Sequence, residues 1–62
     1  MITYEFLSDK TWLSVYSHLE DCRCRFTSYA YKCITVFDKT SKDTLEKFCD
    51  SRRLCVRNVY YE

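Results

Sequence analysis

Neither glycine nor proline occurs in this sequence of 62 residues. Every turn must therefore be made without the two residues best suited to turning. The chain reads as one domain, residues 1–62. A domain of this size buries only about 60% of the surface its unfolded form exposes, and is marginal alone. Oligomerisation, disulfides or a metal are the usual supplements to so small a core. A hydrophobic content of 47%, with 18% aromatics, argues for a packed core over disorder. The formal net charge of +1 gives no bulk attraction to nucleic acid or to a membrane surface.

The longest β-prone run is Cys22 to Phe37. Cys22, Cys24 and Phe26 alternate with Arg23, Arg25 and Thr27, the period of a strand with one dry face. Cys33-Ile34-Thr35-Val36-Phe37 is β-branched, aromatic and uncharged, as a central strand would be. The run therefore reads as a hairpin, with its turn near Tyr29-Ala30-Tyr31. Before it, Met1–Leu7 alternates Ile2, Tyr4 and Phe6 with Thr3 and Glu5, a short strand. Ser8 or Asp9 can cap a helix over about 9–20, whose stripe is Trp12, Leu13, Val15, Tyr16 and Leu19. After the hairpin, Thr40 or Ser41 is the expected cap of a second helix over 42–52. Thr40 and Asp43 are spaced as a capping box, and Asp43 and Lys47 as an i,i+4 pair. Leu45, Phe48 and Cys49 form its apolar stripe. A last strand covers Leu54–Tyr61.

The element order is β-α-β-β-α-β. A spacing of 32 residues pairs Ile2-Thr3 with Ile34-Thr35, Leu13 with Leu45 and Arg25 with Arg57. It suggests two βαβ halves, 1–30 and 33–62. Two such units with right-handed crossovers give the ferredoxin-like split βαβ fold. That fold is a four-stranded antiparallel sheet with two helices on one face and the first and third strands central. Leu13, Tyr16, Leu45 and Phe48 are expected to touch the strands, and Trp12 to pack beneath the sheet.

Cys22, Cys24, Cys33, Cys49 and Cys55 are odd in number and follow no apolar leader. Each sits in an apolar pattern, where a thiol acts as a small hydrophobe. Reduced structural cysteines, and with them a cytoplasmic location, are expected. The C-x-C spacing of Cys22 and Cys24 is shorter than the C-x(2–4)-C of structural zinc sites, so no metal is expected. The copper-chaperone branch of the fold carries a C-x-x-C loop after its first strand, where this chain has Ser8-Asp9-Lys10. His18 can meet Cys22 at i,i+4, but no third group is nominated to orient a nucleophile. No cofactor motif or membrane-length apolar run is present, and no enzymatic activity is expected.

Functional expectation rests on the sheet face away from the helices. If Cys22, Cys24, Phe26, Ile34, Val36, Leu54 and Val56 face the helices, alternation puts Arg23, Arg25, Phe37, Arg57, Val59 and Tyr61 on the open face. Arginine and aromatics dominate protein-interface hot spots. The six residues are thus the expected binding surface of a non-enzymatic module for a protein partner. Such a chain would act as a regulator, inhibitor or adaptor, in the manner of a viral accessory protein, with self-association into a homodimer as a further expectation. The topology also resembles that of RNA-recognition domains, and the resemblance implies single-stranded RNA or DNA stacked on sheet aromatics beside arginines. The glycine-containing signature of those domains is absent.

Overall fold

The computed structural model describes all 62 residues, Met1–Glu62. The elements are β1 (Ile2–Phe6), α1 (Asp9–Asp21), β2 (Phe26–Thr27), β3 (Cys33–Val36), α2 (Lys39–Arg52) and β4 (Val56–Tyr61). The strands form one antiparallel sheet in the order β2-β3-β1-β4, the ferredoxin-like split βαβ topology with the first and third strands central. Tyr4 and Phe6 of β1, Ile34 and Val36 of β3, Val15 and Leu19 of α1, and Leu45 and Cys49 of α2 make a single buried cluster. The helices pack on each other and on the sheet face that bears those four strand residues.

Helix α1 starts where expected. Ser8 is extended, and its hydroxyl accepts the Thr11 N–H at 3.2 Å. The buried stripe is Trp12, Val15, Tyr16 and Leu19. Leu13 lies off it and is 56% exposed, so its expected contact with the strands is absent. Positions 12, 15, 16 and 19 already complete the helical repeat, and 13 points a further 100° round the helix. Tyr16 does reach the sheet, meeting Phe26 edge-on at 5.0 Å. Phe48 packs against α1, stacking on His18 at 4.1 Å.

Helix α2 begins three residues earlier than the sequence suggests. Asp38, not Thr40 or Ser41, is the cap, and its Oδ1 accepts the Ser41 N–H at 2.7 Å. That bond holds the Asp38 carboxyl below its usual range. The Ser41 hydroxyl is left free to bond elsewhere. Buried in the first turn, its Oγ accepts the Arg25 N–H at 2.9 Å and ties α2 to the entry of β2. The observed i,i+4 ion pair is Lys42–Glu46, at 3.3 Å, instead of Asp43 with Lys47. Glu46 also accepts the Tyr4 hydroxyl at 2.9 Å. Burial and that carboxylate push the Tyr4 phenol above its usual range.

Both helices end alike. The N–H of Arg23 reaches Glu20 C=O and that of Cys24 reaches Leu19 C=O. The Arg53 and Leu54 N–H groups repeat this on Asp50 and Cys49. This is the Schellman arrangement, whose left-handed residue is usually glycine. Here Arg23 (φ 56°) and Arg53 (φ 55°) occupy it, followed by apolar Cys24 and Leu54 turned onto the core. The turn at α1 consumes Cys22–Cys24, so the expected strand from Cys22 shrinks to Phe26–Thr27. Caps and buried positions recur at a spacing of 30, pairing Ser8 with Asp38, Val15 with Leu45 and Arg23 with Arg53. The spacing of 32 matches exposed Leu13 to buried Leu45 and is not the structural one.

The hairpin turn centres on Tyr31 and Lys32, one residue later than expected. Lys32 is left-handed (φ 61°), and the Cys33 N–H closes on Ala30 C=O at 3.1 Å. Tyr31 leans edge-on against Trp12 and its hydroxyl donates to Asp9. Side chains on α1 thus hold a loop that glycine would otherwise shape.

In urea denaturation, Leu45→Ala should cost ~2–5 kcal/mol and Leu13→Ala less than about 0.5 kcal/mol. Arg53→Gly should stabilise by up to ~1 kcal/mol, because relief of left-handed strain exceeds glycine's added unfolded-state entropy. Equal losses at the two leucines would contradict this packing.

Candidate functional site

The two faces of β4 are decided by one extra residue. Ile2 pairs with Tyr61, Thr3 with Tyr60, Tyr4 with Val59 and Glu5 with Asn58, but Phe6 pairs with Val56. Arg57 is therefore a β-bulge, two residues facing one across the ladder. Directly opposed residues share a face. Val59 and Tyr61 accordingly lie on the helix side with Tyr4 and Ile2, while Asn58 and Tyr60 lie on the open face with Glu5 and Thr3.

This corrects the expected surface. Plain alternation from Val56 puts Val59 and Tyr61 on the open face; the bulge at Arg57 reverses that assignment. Arg23 is not in the sheet at all, because it makes the left-handed turn after α1. Arg25 and Phe37 do come together, with the Phe37 N–H bonded to Arg25 C=O at 3.2 Å beside the outer end of β3. Arg57 stands near Glu5 and Tyr60. The six residues thus fall into three places: the α1 turn, the Arg25–Phe37 corner and the β4 edge.

The middle of the open face is polar and internally satisfied. Thr27, Thr35, Thr3 and Tyr60 form a row across all four strands. Thr3 and Thr35 share a hydroxyl hydrogen bond at 2.7 Å, and Thr35 is buried. In the next row, Glu5 accepts from Asn58 Nδ2 at 3.2 Å and from the Tyr60 hydroxyl at 3.1 Å. Those two bonds hold its carboxyl below the usual value of 4.5. The same contact raises the Tyr60 phenol.

Strand β4 is an exposed edge. Val59, Tyr60 and Tyr61 are 37%, 50% and 73% exposed. Met1 and Glu62 exchange backbone hydrogen bonds, at 3.0 and 3.3 Å. Antiparallel pairs alternate between bonded and non-bonded, so Tyr60 and Asn58 also direct their backbone groups at β1. The N–H and C=O of Val59 and Tyr61 therefore point outward, unpaired. The opposite edge, β2, is only two residues long.

Other candidate chemistry is sparse. All five cysteines are free. Cys22 Sγ lies 3.6 Å from His18 Nε2, the i,i+4 meeting the sequence allows. The Cys49 thiol is pushed up to about 11, chiefly by burial. No group of three or more His, Cys, Asp or Glu side chains converges as metal ligands would. A recess of about 250 Å³ beside Met1, Ile2 and Phe37 carries Lys39 and Lys42 at the start of α2, without a carboxylate–histidine or thiol–histidine pair. No helix is long and apolar enough to cross a membrane.

Comparison with known proteins identifies no relative: no family model, curated protein or solved structure matches this chain.

The sign of the Glu5 effect is testable. A carboxyl depressed on folding contributes its stability above its unfolded value, and loses it as pH falls through the folded value. Amide exchange at Asn58 and Tyr60, the β4 residues whose backbone groups face β1, corrected for intrinsic rate, should therefore accelerate as pH drops below 4.5. Glu5→Gln should abolish that step. A wild-type profile that stays flat into acid would show that Glu5 does not secure β4.

Proposed function

We propose that this chain is a non-catalytic protein-interaction module, a regulator, inhibitor or adaptor, that takes its partner along the free edge of β4. The observation that carries this reading is the outward-facing, unpaired backbone of Val59 and Tyr61, flanked by exposed Val59, Tyr60 and Tyr61 side chains. Natural sheets blunt such edges with charge, brevity, cover or a bulge, because an open ladder templates another strand. Here the bulge and its charge are confined to Arg57, and Asn58–Tyr61 run regular and uncharged beyond it. Strand addition uses that ladder for affinity and the alternate side chains for specificity. Tyrosine and arginine are the residue types that anchor interfaces, and Arg57 adjoins the tyrosines.

A single-stranded nucleic acid has less to engage. The central row of the open face is threonine on β2, β3 and β1, with Tyr60 on the β4 edge as its one aromatic, where a base-stacking sheet needs aromatics on its central strands. The near-neutral charge adds no electrostatic funnel. Five free thiols suit a reducing compartment such as the cytoplasm.

Affinity capture from the cells that make this protein, with nuclease treatment, compares wild type with two variants. Val59→Pro removes an outward N–H that β1 does not use, a change edge strands tolerate. It should abolish capture, and Tyr61→Ala should weaken it by ~1–3 kcal/mol. Capture indifferent to Val59→Pro, or lost on nuclease treatment, would overturn the reading.

A further inference from the structure

We infer that the strand added to β4 is β4 of a second copy of this chain, joined antiparallel about a two-fold axis with Tyr60 opposite Tyr60. The inference rests on the reading of β4 as a docking edge and names its occupant.

The backbone selects the possible registers. Only Val59 and Tyr61 present outward N–H and C=O groups beyond the bulge, so a new antiparallel neighbour must place its own outward residues opposite these. Setting Val59 against Tyr61 of the second copy, and Tyr61 against Val59, meets this requirement with no residue from the bulge. A two-fold axis generates both pairs at once, as an isologous interface demands.

The side chains agree with that register. On the helix side, an aliphatic residue meets an aromatic one twice, through the two Val59–Tyr61 pairs. Such cross-strand pairs are favourable. On the open face, Tyr60 meets its own copy at the axis, and Asn58 falls opposite Glu62 of the second copy. Arg57, turned toward that face by the bulge, then stands beside that same glutamate. Within one chain neither Arg57 nor Glu62 has a salt-bridge partner. In the pair the Glu62 side chain gains a cation and Arg57, already near Glu5, gains a second carboxylate, and no like charges are directly opposed. The alternative register with Val59 on the axis requires the distorted backbone at Arg57 to pair with Tyr61.

The pairing also answers two liabilities of the fold. It closes the one long open edge, merging two sheets into one continuous sheet whose ends are the short β2 strands. It supplements a core of only eight buried apolar residues. With a net charge of +1 the two copies repel little.

Sedimentation equilibrium of the purified chain over a dilution series tests this, with helical circular dichroism as the check on folding. The wild type should show a reversible monomer–dimer equilibrium. Val59→Pro should weaken it at least about tenfold, since two symmetry-related hydrogen bonds are lost. Glu62→Arg alone, and Arg57→Glu alone, should each weaken dimerisation, and the double charge exchange should restore it. Restoration is expected only if these residues meet across the axis. A chain that stays monomeric overturns self-pairing, while the docking edge itself is judged separately by Val59→Pro-sensitive capture of a different protein. A dimer insensitive to Val59→Pro, or a double exchange that fails to rescue, also overturns it.

Discussion

The extra residue at Arg57 is the constraint on which the surface of this protein depends. Side chains alternate along a strand, so one inserted position sends every later residue to the other face. Without it, Asn58 and Tyr60 would turn toward Tyr4, and Glu5 would lose both of its hydrogen-bond donors. With it, Val59 and Tyr61 sit on the side of the core but beyond its cover, and the middle of the open face is left to threonines and to Glu5 with its donors Asn58 and Tyr60. The same insertion sets which backbone groups face outward. Edge chemistry and face chemistry are therefore fixed together by one irregularity in a six-residue strand.

Much of the architecture is legible because several levels of the sequence agree. The alternation of Ile2, Tyr4 and Phe6, the stripe from Trp12 to Leu19, and the β-branched run at Cys33–Phe37 each have one reading. Together they admit few topologies. What is not legible concerns turns. Cys22-Arg23-Cys24 imitates a strand because the residue after a Schellman turn is also apolar. Only glycine would mark the left-handed position, and there is none. Asp38 is as good a cap as Ser41 and a better one than Thr40 by residue preference. Three capping residues thus stand close together, and the sequence does not single out Asp38, which lies nearest the strand and gives α2 an extra turn.

The bulge does leave a trace. Arg57 and Asn58 are consecutive polar residues between Val56 and Val59, a break in period two that a skipped residue repairs. Reading straight through that break puts Val59 and Tyr61 on the wrong face and hides Asn58 and Tyr60. The Arg25–Phe37 corner survives because β2 and β3 keep plain antiparallel register. The Glu5 network escapes the sequence, since its donors are assigned to it only once the register of β4 is known. A chain without glycine thus shows its core more clearly than its corners, and the exposed edge of β4 is set by one such irregularity.

Everything proposed about β4 follows from its register against β1, and that register can be observed directly. In an antiparallel ladder the non-bonded pairs bring their α-protons closest. Two-dimensional nuclear Overhauser spectra of the chain should show strong Hα–Hα contacts between Ile2 and Tyr61 and between Tyr4 and Val59. Contacts between Thr3 and Tyr61, or between Glu5 and Val59, would place β4 one residue out of step. They would return Val59 and Tyr61 to the open face and contradict the account.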